Sequence, residues 1–406
     1  YINHEDDVIK YPMIYDYKTG VYTTVVNKED ADGMYYLYKL YFRDVDINGK
    51  IIETVTYAVD PYANSVSVNG DKGYVLDINE KSTKPIGFTN HPSPILSEKD
   101  DSIIYEMHIR DFTIDESSGV INDLRGTYLG AVEENTIYKN PYNGKYVKTG
   151  IDHLCELGIT HVHLMPIFDF GSVDERFPGS NNRNWGYDPK NFNVPEGSYC
   201  SNPYNPVTRI LELRQMIMKF HERGIRVVMD MVYNHMMSTV NMDNIVPGYY
   251  FRSDYLGRYT NGSGCGNELA SERPMVRKFI IDSCLHWIKD YKIDGIRFDL
   301  MELLDIDTTK EIVKKTTKLD KNFLIYGEPW KGGSSPLVNG TYKGSQKNEN
   351  FSIFNDTFRD AIRGNNHPSS GFINGNQYSS ICNWSIIEGL KGSIYTITSN
   401  PNESIN

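Results

Sequence analysis

SIIYEMHIRDF (102–112), ITHVHLMPIF (159–168), IRVVMDMVY (225–233), IDGIRFDL (293–300) and NFLIYGE (322–328) decide the fold of this 406-residue chain. Each is a short, largely apolar run rich in Ile, Val and Phe, the pattern of a strand covered on both faces. Between and after them lie stretches with helical spacing: GIDHLCELG (150–158), ILELRQMIMKFHERG (210–224), RPMVRKFIIDSCLHWIKDY (273–291) and EIVKKTTKLD (311–320). Strand alternating with helix implies an α/β fold with a parallel sheet. At this length a (β/α)₈ TIM barrel is the leading architecture, with an open doubly wound sheet second. FSIFNDTF (351–358) is a sixth strand candidate. No seventh or eighth follows, so the barrel, residues 101–406, is expected to be incomplete at its C-terminus and the chain a segment of a longer protein.

Working outward, residues 1–90 read as all-β. MYYLYKLYFRDVDI (34–47) alternates like a strand, with Asp32-Gly33 and Asn48-Gly49 as turns on either side. TNHPSPILSEKD (89–100) is rich in Pro and polar residues, which places a linker over 91–100. Composition is that of a soluble globular protein, 39% hydrophobic and 23% charged. A net charge of -11 argues against a nucleic-acid partner. No apolar run is long enough to span a membrane, and the first residues lack the features of a signal peptide, so a cytoplasmic or a secreted location stays open. Cys155, Cys200, Cys265, Cys284 and Cys382 are odd in number and lack C-x-x-C spacing, so neither a disulfide framework nor a zinc site is expected. Thirty tyrosines suit stacking on sugar rings, although codon bias gives the same count.

In a barrel, polar residues at the C-terminal ends of strands are candidates for the active site. The third strand ends with Asp230, Asn234 and His235, the fourth with Arg297 and Asp299, and the fifth with Glu328, beside Trp330. Residues two apart on a strand share a face, so Arg297 and Asp299 point the same way. Arg297 is expected to hold Asp299 ionised, as a carboxylate nucleophile requires. Glu328 follows an apolar run and is a candidate for a raised pKa and a general-acid role. Two carboxylates pushed apart in this way form the pattern of glycoside hydrolysis. Singly, each has a plainer explanation: a structural ion pair for Arg-x-Asp, a surface carboxylate for Glu328, a capping pair for Asn234-His235.

Together, DMVYNH, GIRFDLMELLD and YGEP resemble three strand-end segments of the α-amylase superfamily, in its order. NWGYDPKNFNVPEGSYCSNP (184–203) resembles the segment that marks the type I pullulanases, and IVPGYYFRSDYLGRYTNGSGCGNELASERPMVRKF (245–279) resembles the same family's loop into the fourth strand. YYLYKLYF and AVDPYANSVSVNGDKG (58–73) resemble the second half of the β-sandwich carbohydrate-binding module that precedes debranching barrels.

The resemblance implies a retaining glycoside hydrolase that cuts α-1,6-glucosidic branch linkages in pullulan, branched dextrins or glycogen. It implies Asp299 as nucleophile, Glu328 as general acid/base and Arg297 as the partner orienting Asp299. Tyr187 would stack on the glucose at the cleavage point and Asp188 would accept hydrogen bonds at the site floor. Trp185, Asp230, Asn234, His235 and Trp330 join Arg297, Tyr187 and Asp188 as substrate-binding residues. Arg183 departs from the family, which has Tyr there. Glu196 reads as a loop carboxylate. The family's third carboxylate, in an x-x-x-H-D-N segment, has no counterpart after residue 328, so these 406 residues alone are expected to be inactive. His161 and His163 read as strand-packed histidines; no D-x-D-x-D loop is present, and no metal or cofactor is assigned. The alternatives are isoamylase-like or α-1,4-amylase activity, or a non-catalytic glucan-binding relative.

Overall fold

The computed structural model describes residues 8–46, 48–177, 183–365 and 370–391. Six parallel strands form one sheet in chain order: β1 (Ile104–Met107), β2 (His161–Leu164), β3 (Arg226–Met231), β4 (Gly295–Phe298), β5 (Leu324–Gly327) and β6 (Ser352–Ile353). Each strand is hydrogen-bonded to the next in sequence, and α1 (Gly150–Leu157), α2 (Thr208–Glu222), α3 (Pro274–Tyr291) and α4 (Ile306–Thr317) lie between or before them. This is a partial (β/α)₈ barrel, with six consecutive parallel strands among the described residues. Val227, Met229, Ile296, Phe298 and Ile325 of the sheet share one core with Leu213, Ile217 and Phe220 of α2 and Ile280 and Trp287 of α3. Among the described residues no helix is long and apolar enough to cross a membrane.

The observed strands are shorter than the apolar runs. SIIYEMHIRDF stops being a strand at Met107, because His108 caps a helical turn (Ile109–Thr113), its Nδ1 accepting from the Asp111 N–H at 3.2 Å. FSIFNDTF is strand only at Ser352–Ile353. Asn355 then caps α5 (Asp356–Arg363), its side chain accepting from the Phe358 N–H at 2.9 Å, so the second half of the expected strand is helix. ITHVHLMPIF ends at Leu164, and Phe168–Phe170 pairs instead with Pro189–Pro195 as an antiparallel hairpin. The NWGYDP segment lies within that hairpin's connection.

The N-terminal residues form three two-stranded antiparallel ladders among the described residues: Ile14–Asp16 with Val21–Thr23, Tyr35–Tyr36 with Gly73–Tyr74, and Tyr38–Val45 with Ile51–Ala58. The segment after the last hairpin lies against the barrel. Val59 exchanges backbone hydrogen bonds with the Asn241 side chain (2.8 and 3.1 Å), and Ser65 Oγ donates to the Pro206 carbonyl (2.9 Å). Val59, Ala63 and Val66 pack with Val194 of the hairpin. The Asn69–Gly70 turn also bonds to the barrel side: the Asn69 N–H donates to Glu175 (2.7 Å) and the Gly70 carbonyl accepts from Asn191 (3.0 Å). Gly70 has φ +72°, and a Cβ there would meet Asp169 at 2.5 Å, so only glycine fits.

Candidate active site

The parallel register sets Asp230 of β3 opposite Arg297 of β4. Arg297 Nη1 donates to both Asp230 oxygens at 2.8 Å and to Asp299 Oδ1 at 3.1 Å, while its Nη2 pairs with Glu328. One guanidinium therefore gathers three carboxylates from the ends of three adjacent strands. The other side of Asp299 is held by Asn234, whose Nδ2 donates to Oδ2 at 2.7 Å and to the Asp299 carbonyl at 3.0 Å. Asn234 Oδ1 lies 2.6 Å from His235 Nδ1, and His235 Nε2 lies 2.9 Å from the Tyr187 carbonyl. Tyr187 closes the ring by donating its hydroxyl to Asp230 at 2.7 Å. Glu328 accepts from the Leu300 N–H at 3.1 Å. Leu300 has φ 41°, a left-handed conformation that costs a γ-branched residue about 1–2 kcal/mol.

The charges do not divide as the sequence led us to expect. Burial opposes ionisation of Asp230, but Arg297 and His163 outweigh it and hold the carboxyl below its ordinary range. Asp299 goes the other way. Burial, and then the neighbouring Asp230, push it up to about 7 against the pull of Arg297. Arg297 was expected to hold Asp299 ionised; it does pull Asp299 down, but shared among three carboxylates and bonded twice to Asp230, it is outweighed. Arg297 itself is held firmly charged: burial works against it, but Asp230 and Glu328 prevail. Burial pulls His235 down to about 4, and a neutral ring can donate to only one of its two oxygen neighbours.

The remaining expected residues surround this cluster. Tyr187 is half-buried, with Arg297 6.0 Å from its ring centre. Asp188 is raised by burial; Ser172 and the Gly171 amide lie close but leave both carboxyl oxygens without a full hydrogen bond. Trp185 is 55% exposed at the rim. Arg183 stands over its ring at 5.9 Å and donates from Nε to Asp111 at 2.8 Å. Trp330 is braced by Phe354 (6.3 Å between centroids) and by Arg359 (5.9 Å).

Two residues were misjudged or missed. Glu196 lies in the loop just after Pro195, as expected, but it is fully buried and accepts from the Ser198 N–H (2.8 Å) and the Phe170 N–H (3.1 Å), tying the hairpin together. His163, packed within the sheet, reaches to 3.4 Å from Asp230 beneath the site, a contact that its alternation with His161 could not reveal. Two groups of side chains among the described residues have metal-like spacing. Glu106, His163 and Asp230 share a carboxylate already committed to Arg297. In the group of Asp169, Glu175 and Glu196, Arg209 pairs with Glu175 at 3.0 and 2.8 Å and with Asp169 at 3.4 Å and supplies a positive charge there.

The chain and its fold have counterparts among known proteins. A model of the α-amylase catalytic domain matches residues 145–246, the stretch that carries the hairpin and β3. The pullulanase of Bacillus subtilis is 40% identical over 400 residues, 95% of this chain and 52% of the relative. The apo pullulanase of Paenibacillus barengoltzii superposes with a TM-score of 0.86 at 40% identity, covering 97% of this chain and 58% of that one. The same enzyme crystallised with maltohexaose and α-cyclodextrin gives 0.81 at 42% identity, covering 89% and 54%. The chain thus spans about half the length of the relatives it matches. Over nearly all of its own length, it is a homologue of the pullulanases, built on the catalytic fold of the α-amylase superfamily.

Proposed function

We propose that this chain carries the catalytic centre of a retaining hydrolase of α-1,6-glucosidic branch linkages. Its substrates are pullulan, branched dextrins or glycogen. The observation that carries the reading is the gathering of Asp230, Asp299 and Glu328 around Arg297, framed by the hairpin that presents Tyr187. In the reaction, Asp299 attacks the anomeric carbon while Glu328 delivers a proton to the departing O6. The bond from that carbon to O6 breaks, leaving a glycosyl ester on Asp299. Water then attacks the same carbon, Glu328 takes its proton, and Asp299 departs as a carboxylate, so the configuration is retained. Arg297 and Asn234 fix Asp299 from opposite sides, which is the positioning that a near-attack geometry requires. Tyr187, Asp188 and His235 belong to the glucose at the cleavage point, with Asp230 beneath it. Trp185 and Trp330 offer aromatic faces to sugars further along.

Residues 1–90 belong, on this reading, to a β-sandwich carbohydrate-binding module, joined through 91–100 to the catalytic barrel of 101–406. Support comes from the likeness of YYLYKLYF and AVDPYANSVSVNGDKG to that module. The test is product analysis with the full protein on pullulan. Maltotriose, released first as the α-anomer, is expected; panose, or a β-anomer, refutes the proposal.

A further inference from the structure

Arg252 and Glu268 form another buried ion pair. Glu268, with no exposed surface, accepts from Arg252 Nη1 at 3.1 Å, from the Thr260 hydroxyl and from Ser335 Oγ at 2.7 Å. Arg252 turns its other nitrogens to Glu272 (3.0 and 2.8 Å), Ser271 Oγ (3.1 Å) and the Leu303 carbonyl (3.0 Å). Leu303 belongs to the turn that follows Asp299, and Ser335 to the segment that follows Glu328. The pair therefore bridges the two pieces of chain that leave the two acting carboxylates.

Close packing makes this bridge stiff. The Gly333 N–H donates to the Gly262 carbonyl at 2.8 Å. A Cβ on Gly332 would meet the Ser263 carbonyl at 2.4 Å, and one on Gly262 would meet Glu268 at 2.6 Å and Ser335 at 2.8 Å. Lys331, three residues past Glu328, pairs with Glu302 at 2.6 Å. Backbone bonds from Thr341 to Leu304 and from Ile306 to Asn339, both 2.9 Å, continue the seam.

We infer that Arg252 and Glu268, with Ser335, are positioning residues for the acid: they fix the segment after Glu328 against the turn after Asp299 and so set the angle at which Glu328 meets the leaving oxygen. The inference rests on the acid role proposed for Glu328. Neither Arg252 nor Glu268 bonds to Asp230, Asp299 or Glu328; they act through the chain. A small displacement that originates away from the chemistry can still cost on the order of a hundredfold in rate.

The test uses the full protein, two substrates and the two hydroxyls that donate to Glu268. Ser335→Ala removes a donor from Glu268 and leaves the Arg252–Glu268 pair intact. Pullulan needs a proton on its leaving oxygen, whereas α-maltotriosyl fluoride does not, and general-acid catalysis contributes about 10²–10⁴-fold only where that proton matters. Ser335→Ala is expected to lower kcat on pullulan at least about tenfold with KM little changed, and to leave fluoride hydrolysis within about twofold. Thr260→Val, which removes the other hydroxyl, should show the same split, and Ser335→Thr should restore pullulan turnover. An equal loss on both substrates means general structural damage and overturns the inference, as does no loss on either. Glu328→Gln is run alongside. If it fails to separate the two substrates, the acid assignment falls; if it separates them and neither hydroxyl variant does, only the positioning inference falls.

Discussion

Replacing Asp230 by Asn removes one of the three carboxylates that share Arg297 while keeping an oxygen for it to bond. Asp230 and Asp299 both accept from the same nitrogen, at 2.8 and 3.1 Å, so the bonded oxygens lie no further apart than those two bonds laid end to end, about 6 Å. At an effective dielectric constant of about 20, two unit charges at that separation repel by about 3 kcal/mol. At about 1.4 kcal/mol per pKa unit this corresponds to a shift of roughly two units. The substitution also frees Arg297 to act on Asp299, so both effects favour its charged form. Asp299 starts near 7, raised by burial and then by Asp230. A nucleophile must be ionised, and the acidic limb of kcat/KM reports the free enzyme. That limb should move to lower pH in Asp230→Asn, by about one to two units, as an apparent value belonging to the coupled cluster. The measurement is kcat/KM on pullulan from acid to neutral pH for both proteins. The absolute rate will fall, because Tyr187 and Arg297 lose a charged partner, but the position of the limb does not depend on the plateau. A limb that stays in place or moves to higher pH refutes the reasoning.

Tyr187→Ala should cost on the order of a hundredfold in kcat/KM on pullulan through lost positioning, whereas Tyr187→Phe, which loses only the 2.7 Å bond to Asp230, should cost far less; equal losses would mean the hydroxyl, not the ring, carries the role. Burial and then Glu175 push Asp169 up to about 7, so its contribution to stability is present at low pH and lost as pH rises through 7. Asp169→Asn should therefore gain in Tm relative to the unaltered protein between pH 5.5 and 8.5, and a relative loss over that range would contradict the sign. Arg183→Ala breaks a half-exposed pair with Asp111 and should change stability by no more than about 1 kcal/mol in denaturant unfolding. Trp185→Ala, by contrast, should raise KM for long glucans more than for short ones, since its exposed ring lies outside the cleavage point.

The strands that hold the site were legible because burial on both faces leaves an apolar run with no ambiguity of face. The residues gathered around Arg297 were legible as well, since the ends of β3, β4 and β5 lie side by side in any parallel sheet of this order. What escaped depended on contacts distant in sequence. Nothing in SVDERF says that Glu175 meets Arg209 and the Asn69 turn, or that Glu196 is sealed inside the hairpin. The pKa of Asp299 was misjudged for the same reason: Arg297-x-Asp299 is a local pattern, but the charge that dominates Arg297 comes from Asp230, 67 positions earlier. The end of the sixth strand was misplaced because Asn355 was passed over as a cap.

The Asn69–Gly70 turn bears on how such a protein can be re-engineered. Its carbonyl and amide groups complete hydrogen bonds for Glu175 and Asn191, and residues 59–66 cover Val194 of the hairpin that presents Tyr187. A chimera that exchanges the leading module at residue 90 would strip these groups away, taking a donor from the Glu175 carboxylate and an acceptor from the Asn191 amide, each loss costing about 1–3 kcal/mol. A graft would have to join upstream of Val59 and keep the bonds of Thr56 and Tyr57 to Asn244 (2.7 and 2.9 Å). Recombination there would let the front of the molecule vary while the substrate-facing tyrosine keeps its support.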